Sequence, residues 1–190
     1  NSLKLFGYPY ADDAMLPLRE LFCYAKTLFA YRLNSGGAKA SNTFCTARYA
    51  GTAGNRLSTV IAVHVDDETL FEVSTYIDTT LVDSQTVSQA ADLIPNDFVG
   101  WKADAALEAT AKTPLTGGSN GTANAAAYQA FLDKIESFSF NTLGCPSDDA
   151  VTIGLFVSFA KRMRDEVGAS IQAVVYNPSD SAKAADYEGV

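Results

Sequence analysis

The sequence contains few of the residues that most often carry catalysis or bind metals. Its 190 residues include one histidine, His64, one tryptophan, Trp101, and three cysteines. Cys23, Cys45 and Cys145 are odd in number and far apart, which excludes close-spaced zinc motifs with His64. We therefore predict that the cysteines are small buried hydrophobes in a reducing cytosol, not a disulfide framework.

Long apolar runs and excess positive charge are also lacking. No run reaches the roughly 18 residues of a membrane span, no signal peptide is visible, and no membrane partner is expected. The net charge is −8, with 14 basic and 22 acidic residues. Phosphate binding needs clustered Lys and Arg, so a nucleic-acid partner is not expected either. Because the chain starts at Asn1 without Met, we expect a fragment of a longer protein.

The stretch from Phe140 to Asn177 predicts a strand, a helix and a second strand. The strands are the apolar runs 140–145 and 171–176, and Pro146 closes the first because proline cannot donate to a ladder. Two strands joined by a crossover helix of this length are most simply parallel, and such crossovers are right-handed in about 98% of cases. The chain is therefore expected to contain a β-α-β unit.

The crossover helix is marked by its ends and by one apolar stripe. Ser147 and Asp148 are N-cap candidates, and Asp148 and Asp149 place negative charge where the helix dipole favours it. Gly168 is expected to end the helix. The stripe at helical spacing consists of Phe156, Phe159, Ala160, Met163 and Val167.

The N-terminal segment predicts a helix followed by a strand. Residues 3–10 read as a loop or short strand, and Asp12 and Asp13 before Pro17 form a helix-start pattern. Leu28 to Leu33 then reads as a strand. The apolar face of the helix is predicted to be Leu18, Leu21, Phe22 and Ala25, with Cys23 on the same side.

From about Thr43 to Lys112 the hydrophobic period is two instead of 3.6. Residues 57–65, 71–77 and 81–87 predict a three-stranded meander joined by turns at 66–69 and 78–80. A short helix at 88–94 and strands at 98–102 and 107–112 follow. Beyond them, residues 114–121 are a Gly-rich loop before a helix whose buried face is predicted to be Tyr128, Phe131, Leu132 and Ile135.

These patterns predict an α/β (α+β) core with a β-α-β crossover unit, interrupted by a β-rich inserted domain. The core is discontinuous and comprises residues 1–41 and 113–190. The inserted domain comprises residues 42–112. Composition and sequence pattern by themselves favour a binding or structural protein over an enzyme.

Residues 117–121 match the G-x-S-x-G nucleophile elbow of serine hydrolases, with Ser119 as the nucleophile. That chemistry needs the serine on a sharp strand-to-helix turn and a histidine later in the chain. Here His64 precedes the motif, and Pro114 separates the loop from the strand before it. The favoured interpretation is a tight connection whose glycines allow positive φ.

The charged clusters have ordinary structural interpretations. Asp66, Asp67 and Glu68 lack the glycine and later glutamate of a calcium loop, so a solvated hairpin turn is favoured. Asp148 and Asp149 are interpreted as helix-capping charges, and cations near a helix C-terminus are expected anyway. Those cations are Lys161, Arg162 and Arg164. No catalytic, cofactor-binding or metal-ligating residue is assigned, and no cofactor is expected.

Several strings resemble one family, in order along nearly the whole chain. They resemble the tail sheath proteins of contractile-tailed bacteriophages, in particular those of prophages in Gram-positive bacteria. The strings are Leu18-Arg19-Glu20-Leu21, Tyr31-Arg32-Leu33-Asn34, Val65-Asp66-Asp67-Glu68-Thr69-Leu70-Phe71-Glu72-Val73, Val82-Asp83-Ser84-Gln85-Thr86-Val87, Leu115-Thr116-Gly117-Gly118-Ser119-Asn120-Gly121, Phe140-Asn141-Thr142-Leu143-Gly144-Cys145-Pro146-Ser147-Asp148-Asp149 and Asp186-Tyr187-Glu188-Gly189-Val190.

The resemblance implies a structural virion protein and not an enzyme. Sheath subunits polymerise helically around the tail tube and contract to drive it through the host envelope. The implied partners are other sheath subunits, the tail tube protein and the baseplate, and the implied location is the virion tail, assembled in the host cytoplasm. Because the segments that carry the family's linking arms are not recognised here, we expect these residues alone to be monomeric or weakly associating; a stable large oligomer in size-exclusion chromatography with light scattering would contradict this.

Two functions from other classes stay open. The β-rich block with Trp101 and several tyrosines fits a phage or cell-surface adhesin, which a glycan or cell-wall binding screen would test. The serine hydrolase is the least favoured, and it predicts that Ser119 reacts with a fluorophosphonate probe.

Overall fold

A computed structural model describes residues 2–33 and 36–175 of the chain. Helices and strands are mixed across several sheets, which confirms the predicted α+β class. The described residues form two compact units, and the division falls between Thr122 and Ala123.

The first unit, up to Thr122, contains two short helices and six strands among its described residues. Its helices are α1 (Ser2–Phe6) and α2 (Leu16–Tyr24). Its strands are β1 (Cys45–Ala47), β2 (Leu57–Val63), β3 (Phe71–Ile77), β4 (Thr80–Val87), β5 (Val99–Trp101) and β6 (Thr110–Pro114). Short 3-10 turns lie at Asp13–Met15, Thr52–Arg56 and Ala90–Asp92.

The predicted meander is confirmed as the centre of a four-stranded antiparallel sheet of order β4-β3-β2-β6. Alternate residues Leu57 and Ile61 of β2 and Val73 and Ile77 of β3 point into the core. A separate antiparallel pair joins β1 to β5. Period-two patterning predicted β2 and β3 because their apolar residues alternate along each strand, although polar residues of the opposite face, such as Ser58 and Ser74, are buried as well. Strand β1 was not predicted.

Pairing extends the β-rich region beyond its predicted limits of residues 42–112. Ala38 pairs with Ser119, and Ser41 pairs with Thr116, in isolated antiparallel bridges. The predicted limits were placed where the hydrophobic period of the sequence changes. Such a local change does not reveal these bridges, because they join residues about 80 positions apart. The discontinuous core of residues 1–41 and 113–190 stays a prediction.

The N-terminal predictions are partly wrong. Residues 3–10 were expected as a loop or short strand, but α1 covers their first half. The predicted helix is present as α2, with Pro17 in its first turn, yet none of its residues is buried. Leu28 to Leu33 forms no strand, because a β-branched or aromatic run also needs a ladder partner, and the described residues supply none.

The second unit, from Ala123, contains the predicted β-α-β arrangement. Helix α3 (Ala125–Ile135) precedes β7 (Thr142–Cys145), α4 (Ala150–Asp165) and β8 (Gln172–Val175). β7 and β8 are parallel, as predicted, in register from Thr142 opposite Gln172 to Cys145 opposite Val175. The parts of the prediction at Tyr176 and in the tail 180–190 lie outside the described residues.

The predicted apolar faces of α3 and α4 form one core. Leu132 and Ile135 of α3 pack with four of the five predicted stripe residues of α4 and with alternate residues of both strands. The exception is Val167, which lies beyond the helix end and is 55% exposed. Gly168 follows with φ of 75°, the left-handed conformation that closes a helix.

Candidate functional site

Ser119 lies in a connection, not on a nucleophile elbow. Its N–H donates to the Ala38 carbonyl at 3.1 Å, and its own carbonyl accepts from the Ala38 N–H at 3.0 Å. The next helix begins only at Ala125. The strand-to-helix turn that would expose and orient a catalytic hydroxyl is therefore missing at this serine.

The glycines of this loop have structural roles. Gly117 has φ of 82°, which confirms the predicted positive φ. At Gly118 a Cβ would lie 2.5 Å from the Gly51 carbonyl oxygen. The side chain of Asn55 donates to the Gly118 carbonyl at 2.9 Å and accepts from its N–H at 2.8 Å. The loop thus brings two backbone segments into close contact.

Asp66, Asp67 and Glu68 lie in the predicted hairpin turn between β2 and β3. His64 was predicted to lie on the strand, but β2 ends at Val63, one residue before it. His64 Nδ1 accepts from the Asp66 N–H at 3.3 Å. Asp67 accepts from both the hydroxyl and the N–H of Thr69, and these hydrogen bonds lower the pKa of the Asp67 carboxyl. Across the described residues, no three His, Cys, Asp or Glu side chains gather closely enough to hold a metal ion.

Asp149 is the N-cap residue of α4. The interpretation of the acidic pair as capping charges is confirmed, but the predicted N-cap residues, Ser147 and Asp148, were wrong. The Asp149 carboxylate accepts from the Thr152 N–H and hydroxyl, both at 2.8 Å. These bonds lower the pKa of Asp149. A carboxylate at this position satisfies amide donors that have no intrahelical acceptor.

Arg162 and Arg164, two cations near the end of α4, make structural contacts that fix the helix. Arg162 donates both guanidinium N–H groups to Glu136, at 2.8 and 2.6 Å, and this pairing lowers the pKa of Glu136. Arg164 donates to the Ile171 carbonyl at 3.1 Å. These arginines therefore fasten α4 to its own unit.

The cysteines divide by burial. Cys45 and Cys145 are buried and free, as predicted, and desolvation raises the pKa of the Cys45 thiol to about 12. Burial also raises the pKa of Cys145. Cys23 is exposed, so its predicted burial was wrong. The error follows from α2, whose helical spacing was right but whose apolar face has no covering element among the described residues.

Trp101, the aromatic residue that suggested an adhesin, is half-buried. It packs against apolar core residues, and its Nε1–H donates to the Ile94 carbonyl at 3.2 Å. A ring used to stack on a sugar would present its face to solvent. This placement indicates a packing role for Trp101.

Large apolar side chains are exposed on and around α2. Leu21 and Phe22 are about half exposed, and Tyr24 is 96% exposed. A helix of nine residues has little stability in water without tertiary contacts. Exposed apolar side chains on such a helix are typical of a surface that contacts another protein.

Among residues 123–175, the described part of the second unit, the two-stranded sheet is covered on one face only. Leu143, Cys145 and Ala173 face the helices, whereas Gly144 and Val174 point away. Nothing lies within 4 Å of a Cβ built at Gly144, and Val174 is 55% exposed. Parallel sheets are normally covered on both faces, so this open face is a second candidate contact surface.

The contacts of Arg56 beside the N-terminal segment could not be predicted from local sequence patterns. Arg56 donates to the Gly7 carbonyl and pairs with Asp78, and a cavity of about 480 Å³ lies nearby in the first unit. No local pattern marks these contacts, because their partners are separated by tens of residues.

Family comparisons cover most of the chain. Residues 35–120 match the phage tail sheath protein beta-sandwich domain. Residues 121–190 match the phage tail sheath protein central domain. The chain belongs to the phage tail sheath protein family. This confirms the resemblance that the sequence strings carried.

Solved sheath structures agree with the fold. A sheath tail protein of Desulfitobacterium hafniense is 41% identical, with a TM-score of 0.90 over 100% of this chain and 46% of that one. A sheath tail protein of Listeria innocua is 34% identical, with a TM-score of 0.78 over 99% of this chain and 43% of that one.

Two Bacillus subtilis (strain 168) proteins are also similar to this sheath-family chain. The uncharacterized protein YqbK is 35% identical over 98% of this chain. The phage-like element PBSX protein XkdK is 34% identical over 98%. The chain spans 44% of the length of each of these relatives. None of the helices among the described residues is both long and apolar enough to cross a membrane.

Proposed function

We propose that the protein is a structural subunit of a contractile phage tail sheath and has no catalytic activity. The observation that carries this proposal is the pair of adjacent sheath-domain matches, which together run from residue 35 to residue 190. Contacts of the candidate residues support it, since the side chains of Asp149 and Arg162 and the backbone of Ser119 are engaged in structural hydrogen bonds.

In this proposal the subunits polymerise helically around the tail tube. A repeated contact between different patches of identical subunits, when the rotation does not close a ring, generates an open helical filament. Links by strand addition supply backbone hydrogen bonds between subunits. Contraction then requires a second packing of the same subunits, with the extended one held metastable.

The exposed surfaces fit a protein that works in contact with others. The α2 face and the open face of the β7–β8 sheet each expose apolar side chains, including Phe22 and Val174. Surfaces of this kind are costly in water and are stabilised when another surface covers them. The proposed partners are other sheath subunits, the tail tube protein and the baseplate, in the virion tail after assembly in the host cytoplasm.

The test is negative-stain electron microscopy of the protein expressed at the length of the sheath tail proteins it matches, alone and together with a tube protein. Hollow helical rods are the expected result. Dispersed particles in both preparations, over a range of salt concentrations, would contradict the proposal. The control is the tube protein expressed alone, so that any rods it forms by itself are told apart from sheath rods by their width.

A substitution on α2 sharpens this test. Phe22→Asp places a charge on the exposed apolar face and is expected to reduce rod formation, because burying a carboxylate without a partner is costly. The matched control is Glu20→Gln, which changes one charge on the same exposed helix without changing an apolar residue. Equal rod yields for both variants would show that α2 takes no part in the contacts between subunits.

We further propose that residues 42–112 face outward on the sheath. Their separate patterning supports this, and deletion of these residues is expected to leave rod formation intact. Loss of rods would instead place them in the assembly interface. The adhesin alternative loses its main support, since Trp101 is half-buried against the core and its indole N–H is bonded within the unit.

A further inference from the structure

Residues 2–10, called the strap below, lie against the β-rich part of the first unit through a few contacts. Lys4 Nζ is 2.7 Å from Asp97 Oδ2. Arg56 Nη1 donates to the Gly7 carbonyl at 2.9 Å. The Arg56 guanidinium carbon also lies 4.7 Å from the centroid of the Tyr8 ring. The strap is thus held at two separate points by cationic side chains.

The apolar packing beneath the strap is incomplete. A cavity of about 480 Å³ is lined on one side by Leu3 and Phe6 of the strap and on the other by Leu57, Ile77 and Phe98. This cavity is partly open to solvent. Leu3 and Phe6 therefore gain only part of the contact energy that a closed interface would supply.

The strap has little internal stability. Its helix α1 has five residues and no buried side chain, and Leu5 is 72% exposed. A helix this short does not persist in water without tertiary contacts. Gly7 follows with φ of 78°, a conformation that glycine adopts readily and that ends the short helix.

Arg56 is positioned independently of the strap. Its Nε and Nη2 donate to the Asp78 carboxylate at 3.0 and 2.5 Å, and the Asp78 N–H donates to the Arg56 carbonyl at 2.8 Å. The guanidinium therefore keeps its orientation when the strap leaves. Lys4 in contrast meets Asp97 with both side chains about half exposed, a geometry that water and salt weaken.

We propose that the strap is a local opening element, released from the β-rich region by loss of two latches, Arg56 with residues 7–8 and Lys4 with Asp97, and that its opening uncovers the apolar wall of the cavity at Leu57, Ile77 and Phe98. This goes beyond the sheath role, since it concerns a movement within one subunit. Elements with few buried contacts open far more often than the whole domain unfolds. In a protein that adopts two packings, such an element changes its surface without unfolding the sheet.

The experiment is hydrogen–deuterium exchange with mass spectrometry on the full chain of 190 residues. Variants Arg56→Gln and Lys4→Gln each remove one latch, and the double variant removes both. Tyr8→Ala weakens the Arg56 latch from the strap side and leaves the Arg56–Asp78 contact in place. Lys39→Gln, an equal charge change at an exposed residue outside the strap, is the matched control.

Exchange in residues 2–10 is expected to rise about twofold to fivefold for each single latch variant and multiplicatively in the double variant. Residues 57–87 are expected to stay unchanged in Lys4→Gln and Tyr8→Ala, which leave the Arg56–Asp78 contact in place. In the unsubstituted chain, 1 M salt is expected to raise exchange in the strap, because it screens the Lys4–Asp97 pair. The proposal is overturned by unchanged exchange in the double variant. It is equally overturned when Tyr8→Ala raises exchange by the same factor in the strap and in residues 57–87, since the strap then does not open separately.

Discussion

The side chain of Asn55 pairs with the backbone of Gly118 through two hydrogen bonds, 2.9 Å to its carbonyl and 2.8 Å from its N–H. The amide group thereby imitates a neighbouring strand and fixes the Gly-rich loop against the turn at residues 52–56. The loop that matches a hydrolase motif in sequence is thus a structural junction.

Substitutions at this junction are predicted to destabilise the first unit. Asn55→Ala is expected to cost about 1–2 kcal/mol, because two backbone groups lose their partners. Gly118→Ala is expected to cost more, since its Cβ would lie 2.5 Å from the Gly51 carbonyl oxygen and backbone must move. Urea denaturation measures both. Gly100→Ala, with nothing within 4 Å of the added Cβ, is the control, and equal costs at Gly118 and Gly100 would contradict the prediction.

Phe156 is predicted to carry much of the stability of the second unit. It is 1% exposed, and its ring lies 6.0 Å from that of Tyr128 in an edge-to-face arrangement. Phe156→Ala is expected to lower the free energy of unfolding by about 3–5 kcal/mol through lost burial and the resulting cavity. Val151→Ala, on the same helix but 64% exposed, is expected to change it by less than about 0.5 kcal/mol. A loss under about 1 kcal/mol for Phe156→Ala would show that the core described for this unit is incomplete.

The helix cap at Asp149 is predicted to make stability depend on pH in the acid range. Hydrogen bonds from Thr152 lower the native pKa below the value of about 3.9 that Asp has in the unfolded chain. The contribution is therefore complete above about pH 4 and is lost as the pH falls through the native pKa. Melting temperatures of the unsubstituted chain and Asp149→Ala are expected to differ at pH 7 and to draw closer as the pH falls below about 4.

Asp148→Ala is the matched control for this cap, because Asp148 is an exposed neighbour that does not cap α4. Its melting temperature is expected to stay close to that of the unsubstituted chain. An Asp149→Ala deficit that persists unchanged to pH 2 would mean that the carboxylate is not the cause.

Thiol labelling is predicted to distinguish one cysteine from the other two. Cys23 is exposed, whereas Cys45 and Cys145 are buried with raised pKa values, about 12 for Cys45. A thiolate-specific reagent at pH 8 is expected to modify one thiol in the native chain and three in urea. Cys23→Ser should abolish native labelling. Two rapidly reacting thiols in the native chain would be inconsistent with the described core.

Ser119 is predicted not to react with a fluorophosphonate probe. Reaction needs a base-activated hydroxyl on a strand-to-helix turn, whereas the Ser119 backbone pairs with Ala38 six residues before the helix. Mass spectrometry after probe treatment is the measurement, with a known serine hydrolase as the positive control. Labelling that disappears in Ser119→Ala would return the hydrolase to consideration.

Local patterns predicted the elements that bury one face against neighbours close in sequence. The stripe from Phe156 to Met163 lies on α4, and the alternation from Leu57 to Ile77 lies on β2 and β3, because the periods of 3.6 and 2 follow directly from helix and strand geometry. The parallel arrangement of β7 and β8 followed from the length of their crossover.

Features that depend on long-range partners could not be read from such patterns. Leu28 to Leu33 has strand composition but no ladder partner among the described residues, and α2 has an apolar face that none of them covers. The contacts of Arg56 with Gly7 and Asp78, and of Asn55 with Gly118, join segments 22 to 63 residues apart. The periodicity of the sequence determines which face of a helix or strand is apolar. The tertiary structure determines which residues pack against that face, because those residues come from distant parts of the chain. The loop junction, the strap and its cavity therefore depend on the tertiary structure.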